Sequence, residues 1–148
     1  MNKKLLMLGG GFLQNFVIEK AKSMDYYVYC LDADPNAPGF QIADEYAVVN
    51  IVDEEACLAY ARDKQVNGVL TAATDFGVLT MSRIAEAMYL PGINYRSAKI
   101  IKNKASVRKL LFEAHADDTG YAYEIGSMDE IAEILPKMKF PIMMKPVD

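Results

Sequence analysis

The sequence contains few of the residues that disulfide frameworks and metal sites require. Of its 148 residues, two are cysteine and one is histidine. Cys30 lies in an apolar run and Cys57 in a helix-like pattern, without the spacing of a disulfide framework or a zinc site. We therefore expect two buried, reduced thiols in a cytoplasmic protein, and we assign no metal-binding residue.

An excess of positive charge and a long apolar run are also missing. The 16 basic residues are outnumbered by 20 acidic ones, for a net charge of -4. A nucleic-acid-binding protein more often presents a basic face, so this class is disfavoured. No apolar run approaches the ~20 residues of a membrane span, and the short run after Lys3 and Lys4 ends at glycines, unlike a signal peptide. We expect neither nucleic acid nor a membrane as a partner.

What the sequence does contain is an alternation of strand-like and helix-like segments over residues 1–93. Short apolar runs are separated by segments with helical periodicity, which predicts an α/β fold with a parallel sheet and helices on both faces. The predicted strands are residues 3–8, 26–31, 46–49 and 69–73, and the predicted helices are residues 12–24, 54–64 and 76–88. Ligands of such sheets bind at the carboxyl ends of the strands.

After residue 93 the pattern changes. Pro91, Gly92 and Ile93 begin a short fifth element, and a boundary between residues 93 and 94 divides the chain into domains 1–93 and 94–148. The second part is predicted to contain helices at 97–101, 104–114 and 128–138, and Asn103 and Ser127 are predicted N-caps of the last two. In the first part, Asp53 is the predicted N-cap of the helix at 54–64. Strands are predicted at 121–125 and 142–146. Because the sequence ends just after an apolar strand, we expect a truncated part of a longer chain.

Gly9, Gly10 and Gly11 connect the first predicted strand to a helix. Free N–H groups and the helix dipole favour an anion at such a position. The dinucleotide-binding pattern requires a glycine where this chain has Gln14, although Asp32 lies where a ribose-binding carboxylate would be found. Three interpretations stay open, namely a substrate or anion contact, a plain chain turn and an NAD site. For Asp32 alone, a structural role in the turn is favoured.

Several short motifs occur in a fixed order along nearly the whole chain. They are LGGGFLQ at 8–14, DADPNAPG at 32–39, ADE at 43–45, GVLTAATD at 68–75, LPG at 90–92, NK at 103–104 and FPIMMKP at 140–146. In this order they resemble the front part of ATP-grasp carboxylate–amine ligases. That family includes the carbamoyl-phosphate synthase large chain, biotin carboxylase and several purine-pathway ligases.

The resemblance implies a Rossmann-like pre-ATP-grasp domain at 1–93 and the beginning of an α+β ATP-grasp subdomain at 94–148. It also implies a reaction in which ATP phosphorylates a carboxylate to an acyl phosphate and an amine or similar nucleophile displaces the phosphate. ATP and Mg²⁺ would be the cofactors of the full-length protein, with small-molecule carboxylate and amine substrates. Dimers are common among relatives, so a homodimer is a further expectation.

Two lysines match residues of the family that contact the nucleotide phosphates. They are Lys104, which opens a predicted helix, and Lys145, in the predicted last strand. A lysine is a compact cation that suits phosphate, and an unpaired ammonium in an apolar strand would be costly. Each also has a plainer interpretation as a solvent-facing side chain. The glycine-rich loop and the Mg²⁺ ligands of the family would follow residue 148, so this fragment is expected to bind no cofactor and to be inactive, with no catalytic residue assigned.

The resemblance places the acceptor substrate beside the glycine turn. Gly9, Gly10, Gly11 and Gln14 would contact it, with Thr74 and Asp75 nearby. Thr74 and Asp75 have an equally good interpretation as a cap for the helix that follows.

Other functions also stay open. His115 is expected to be a helix C-terminal histidine favoured by the dipole, although a catalytic role is not excluded. The alternatives to a ligase fragment are a dinucleotide-binding domain and a non-catalytic interaction domain, because a fold alone does not decide function.

Overall fold

The computed structural model describes residues 3–116 and 122–146. The chain divides into two compact units, Met1–Ala98 and Lys99–Asp148. The division falls a few residues beyond the predicted boundary at residue 93. Within the described part of the chain, no helix is both long and apolar enough to cross a membrane.

The first unit contains a parallel sheet of four strands. In chain order they are β1 (Lys4–Leu8), β2 (Tyr27–Asp32), β3 (Glu45–Val48) and β4 (Gly68–Thr71). In space the order is β3-β2-β1-β4, and Leu8 of β1 is paired with Leu31 of β2 and Thr71 of β4. The predicted α/β fold with a parallel sheet is confirmed.

Helices cover both faces of this sheet. They are α1 (Phe12–Lys22), α2 (Glu54–Lys64) and α3 (Val78–Ala87), with a 3₁₀ turn at Pro38–Gln41 between β2 and β3. Asp53 caps α2 as predicted, because its side chain accepts a hydrogen bond from the Ala56 N–H. Helix α4 (Tyr95–Lys102) lies across the division between the units and is longer than predicted.

The alternation of side chains along the strands produces two cores. Leu6 and Leu8 of β1 pack with α2 and α3 on one face, where Ile84 is fully buried. Met7 of β1 packs on the other face with Ile18 of α1. Successive residues of a strand point to opposite faces, so an apolar run such as β1 fills both layers.

The strand order creates a switch point between β1 and β4. From β1 the chain proceeds through α1 to β2 and then to β3, and α2 then returns it to the opposite side of β1. Connections that leave neighbouring strands in opposite directions open a crevice at their carboxyl ends, where ligands of such folds bind.

The second unit contains helices α5 (Lys104–Glu113) and α6 (Met128–Ile134), followed by a 3₁₀ turn at Leu135–Lys137. The predicted caps are confirmed, because Asn103 accepts from the Ser106 N–H and Ser127 from the Glu130 N–H. Every described residue from 99 to 146 is exposed or half-buried.

The predicted strands of the second unit are wrong in the residues that the structure describes. Residues 122–125 and 142–146 are irregular and do not pair in a sheet, and residue 121 lies outside the described residues. The fifth element predicted at Pro91 is also irregular. A strand exists only with a hydrogen-bonded partner, whereas the apolar pattern of a segment depends on that segment alone.

Candidate functional site

The glycine turn after β1 is held by the end of β2. Gly9 has φ = 102°, a conformation that favours glycine, and its N–H donates to the Leu31 carbonyl at 2.8 Å. The Gly10 N–H donates to Asp32 Oδ2 at 2.7 Å, while Asp32 Oδ1 accepts from the Asp34 N–H at 2.9 Å. Asp32 thus has the structural role in the turn that the sequence favoured.

Gly10 is buried beneath this turn. A Cβ at Gly10 would lie 3.0 Å from Cys30 Sγ, and a Cβ at Gly39 would lie 2.8 Å from Gly10 Cα. The Gly39 N–H also donates to the Gly10 carbonyl at 2.7 Å. Gly10 therefore allows two chain segments to approach closely, while Gly9 and Gly11 line the open side of the turn.

Gln14 joins α1 to the end of β4. Its side chain is only 7% exposed, and Nε2 donates to the Ala72 carbonyl at 2.6 Å. The amide also lies over the glycine turn, since a Cβ at Gly11 would be 2.8 Å from Gln14 Oε1. Where the dinucleotide pattern has a glycine for close helix–strand packing, this chain has an amide that spans the switch point.

An open crevice of about 420 Å³ lies at the carboxyl ends of the four strands. At least one residue at or just after the carboxyl end of each strand lines it. These residues are Gly9, Gly11 and Gln14 after β1, Asp32 at the end of β2, residues 50–52 after β3, and Thr74 and Phe76 after β4. The structure thus brings together four of the predicted substrate-binding residues, Gly9, Gly11, Gln14 and Thr74.

Thr74 and Asp75 do not cap the helix that follows them. Helix α3 begins at Val78, and its N-cap is Gly77, which has no side-chain hydrogen bond. Thr74 Oγ1 instead accepts from the Phe76 N–H at 3.2 Å, while Asp75 is exposed outside the set of lining residues. Helix α3 begins later than predicted because the segment first makes this tight turn.

The sequence analysis missed residues 50–52 and Phe76 as parts of the site. Asn50 is exposed, and its Oδ1 accepts from the Val52 N–H at 3.2 Å, which folds the β3–α2 connection into a tight turn. Residues 50–52 form one wall of the crevice. Asn50 and Asp53 are a turn signal at the end of a predicted strand, so this wall could have been found from the same rule that identified the other strand ends.

The side-chain charge of the crevice comes from one carboxylate. Among the described residues that line it, Asp32 alone carries a charge. The N-cap of helix α1 is Gly11, so the helix has no side-chain cap, and its first turn contains no acidic residue. A helix N-terminus without a cap or an acidic residue favours an anion.

The two thiols are free, as predicted, and neither is activated. Burial raises the pKa of Cys30 to about 12 and that of Cys57 to about 11, and nearby Asp32 and Asp53 add to these shifts. A thiol is nucleophilic as a thiolate, so these cysteines serve the core.

The two predicted nucleotide-binding lysines are both exposed. Lys104 is the first residue of α5, which has no acidic residue in its first turn, whereas α6 begins with Asp129 and Glu130. Lys145 lies in an irregular segment, so the premise that its ammonium is buried in an apolar strand is wrong. His115 is exposed just beyond the end of α5.

A second cavity of about 420 Å³ lies in the second unit beside α5, and Ser106, Lys109 and Glu124 are among its lining residues. Over residues 3–116 and 122–146, no group of three or more His, Cys, Asp or Glu side chains has the arrangement of a metal site.

The chain matches a known protein family and is similar to known enzymes. A family model described as the ribonucleotide synthetase preATP-grasp domain matches residues 2–86, more than half of the chain. The chain is similar to the formate-dependent phosphoribosylglycinamide formyltransferase of Methanococcus vannielii, with 24% identity over 145 residues, which cover 98% of this chain and 37% of the relative.

Solved structures share the fold at lower identity. Phosphoribosylglycinamide synthetase from Anaerococcus prevotii matches 95% of this chain and 36% of its own, with a TM-score of 0.78 and 22% identity. N5-carboxyaminoimidazole synthetase from Staphylococcus aureus, in complex with ADP, matches 92% of this chain and 37% of its own, with a TM-score of 0.70 and 17% identity. The chain spans little more than a third of the length of these proteins.

Proposed function

The chain belongs to the ribonucleotide synthetase preATP-grasp domain family, and we propose that it is the N-terminal part of an ATP-dependent ligase. The full-length protein would join a carboxylate to an amine or similar nucleophile through an acyl phosphate. The observation that carries the proposal is the crevice at the β1–β4 switch point, where four strand ends converge. We assign the acceptor substrate to this crevice.

The chemistry of the crevice supports a substrate that carries both an anionic group and hydrogen-bond donors. The uncapped N-terminus of α1 offers backbone N–H groups to an anion. Asp32 uses its two oxygens for the Gly10 and Asp34 N–H groups, but a carboxylate has about four acceptor positions. Asp32 and Thr74 thus remain available to an amine or hydroxyl. Phosphoribosylglycinamide, which appears in the names of two similar proteins, combines these groups.

The nucleotide is assigned to the second unit, through Lys104 and Lys145. Lys104 stands at the positive end of α5 with no acidic residue in the first turn. A cation there is unfavourable for the isolated helix, and a bound phosphate would remove the penalty. A similar structure was solved with ADP. ATP with Mg²⁺ is our proposed cofactor pair, and the Mg²⁺ ligands would lie outside the described residues.

The surface of the second unit supports a longer full-length protein. Met143 is 79% exposed and Phe112 is 52% exposed, in segments with an apolar pattern. Exposed apolar groups of this size are stabilised when another part of a protein covers them. We propose that the remainder of the ATP-binding domain does so, and that the 148-residue chain alone is inactive. A homodimer in the cytoplasm remains part of the proposal.

The alternative of an NAD site has less support. The Gln14 side chain fills the space above Gly11 and is bonded to the Ala72 carbonyl. In the dinucleotide pattern a glycine occupies the position of Gln14, because the absence of a side chain there allows the helix and the strand to pack closely. A non-catalytic interaction domain would leave the crevice without a ligand, and the assay below separates it from a ligase.

The test is the release of ADP by the full-length protein with ATP and Mg²⁺. Formate or bicarbonate is supplied as carboxylate and phosphoribosylglycinamide or glycinamide as amine. We expect ADP release that requires both a carboxylate and an amine, with a product in which the two are joined. ATP hydrolysis that ignores both substrates, or tight NAD binding by the chain, contradicts the proposal.

A further inference from the structure

Thr80 is a buried polar residue that the proposed reaction does not yet use. It lies on α3 and is only 1% exposed. Its Oγ1 donates a hydrogen bond of 2.6 Å to the carbonyl of Ile51, 29 residues away in the chain. Threonine within a helix ordinarily bonds a carbonyl of its own preceding turn. Thr80 instead bonds a residue that lines the crevice.

Ser82 provides an internal comparison on the same helix. Its side chain is fully buried, and its hydroxyl donates to the Val78 carbonyl at 2.8 Å, within α3 itself. The two hydroxyls are similar in burial and in helix position. The Ser82 hydroxyl bonds within its own helix, whereas the Thr80 hydroxyl bonds a different segment of the chain. Of these two bonds, the Thr80 bond connects α3 to the β3–α2 turn.

That turn has a defined shape of its own. The Val52 N–H donates to Asn50 Oδ1 at 3.2 Å and the Asp53 N–H to the Asn50 carbonyl at 2.9 Å, so the segment is a compact wall. The turn reaches α3 through the Ile51 carbonyl. The start of α3 is in turn preceded by Thr74 and Phe76, which line the crevice after β4.

We propose that Thr80 is a positioning residue that fixes the wall formed by residues 50–52 relative to the wall formed by Thr74 and Phe76. The inference rests on the proposed function, because it assigns to this spacing the affinity for the acceptor amine. The side chains of Val52 and Phe76 are 49% and 66% exposed, so a substrate group entering between them meets apolar surface on both sides. Displacement of one wall weakens this contact and leaves the nucleotide site unchanged.

The kinetic test compares three variants of the full-length protein. Thr80→Val keeps the shape and removes the donor, Thr80→Ser keeps the hydroxyl, and Ser82→Ala removes the locally bonded hydroxyl. Because a net hydrogen bond corresponds to about a tenfold change in an equilibrium constant, Thr80→Val should raise the KM for phosphoribosylglycinamide about tenfold. The KM for ATP and kcat should stay within about twofold, Thr80→Ser should restore most of the loss, and Ser82→Ala should resemble the wild type.

An unchanged amine KM in Thr80→Val, or an equal rise in Ser82→Ala, overturns the inference. A second measurement keeps it separate from the proposed function. Hydrogen exchange of the Val52 and Asp53 amides should accelerate in Thr80→Val and stay unchanged in Thr80→Ser and Ser82→Ala. If the wild type turns over none of the substrates, the proposed function fails while this exchange pattern still decides the positioning role. Equal exchange in all variants rejects it.

Discussion

The two units of the chain differ in how their elements are stabilised. In the first unit, Leu6, Leu8 and Leu31 are fully buried between a parallel sheet and the helices on its two faces. In the second, no described residue from 99 to 146 is buried, and the helices rest on caps and local propensity. The comparison teaches that short-range signals are enough to define a capped helix, whereas a sheet requires partners from distant parts of the chain.

Truncation of leucine side chains should give the largest difference between the units in the free energy of unfolding. Leu31→Ala removes a fully buried side chain and should lower the free energy of unfolding by about 2–5 kcal/mol. Leu110→Ala, at a side chain that is 47% exposed, should cost less than about 1 kcal/mol. Urea denaturation followed by circular dichroism measures both. Equal costs would mean that Leu110 is as well buried as Leu31.

Glycine-to-alanine substitutions should give a smaller difference in the free energy of unfolding, again with the larger cost in the first unit. A Cβ at Gly39 would lie 2.8 Å from Gly10 Cα and 2.9 Å from its carbonyl oxygen, and backbone atoms have little freedom to move. Gly39→Ala should therefore cost about 1–3 kcal/mol through overpacking. At Gly126 the nearest atom would be Glu130 Oε1 at 3.6 Å, so Gly126→Ala is the matched control. A tolerated Gly39→Ala would show that the glycine turn can shift.

Cap removal should distinguish the units by the extent of unfolding. Asp53→Ala removes the N-cap of a helix that contains the buried residues Cys57 and Leu58, and should lower the global stability by about 1 kcal/mol. Asn103→Ala removes the cap of α5, which has no buried residue, and should increase fraying of α5 alone. Residue-specific hydrogen exchange reports both effects. A uniform change across the chain after Asn103→Ala would contradict the division.

The smallest expected effect is a pH dependence confined to the first unit. Burial raises the pKa of Asp44, but hydrogen bonds from the Lys22 ammonium and the Val28 N–H outweigh it, so the pKa lies below its ordinary value of 3.8. A carboxyl whose pKa is lowered by folding stabilises the protein above its unfolded pKa and loses this contribution as the pH falls through the folded value. Asp44→Asn should thus be less stable than the wild type near neutral pH.

The same reasoning predicts that this difference shrinks once the pH falls below 3.8. Urea midpoints of both proteins, measured from about pH 2 to 7, test the prediction. A difference in midpoint that is constant over this range would assign the effect of Asp44→Asn to shape and not to charge.

The sequence predicted those features that depend on a few neighbouring residues. The strands of the first unit and the caps at Asp53, Asn103 and Ser127 follow from apolar runs and from short side chains that bond nearby N–H groups. The strands expected at 122–125 and 142–146 were wrong because pairing depends on a partner that these segments do not have in the described residues.

Four of the nine described residues that line the crevice were predicted to bind the substrate. Gly9, Gly11, Gln14 and Thr74 were identified from the family resemblance, and the structure brings them to one crevice. The glycines and Thr74 also follow predicted strands. The bond from Gln14 to the Ala72 carbonyl was missed, because it depends on which strands become neighbours. Strand order is a property of the whole domain and has no local sequence signal.

The central claim is that the two units bind different ligands, the acceptor substrate in the first unit and the nucleotide in the second. Steady-state kinetics of Lys145→Ala in the full-length protein, with Lys139→Ala as an exposed control in the same unit, tests it most directly. We expect Lys145→Ala to lower kcat/KM for ATP at least tenfold, about the contribution of a hydrogen bond to a charged group, and to leave the amine KM unchanged. Wild-type kinetics in Lys145→Ala would contradict the account.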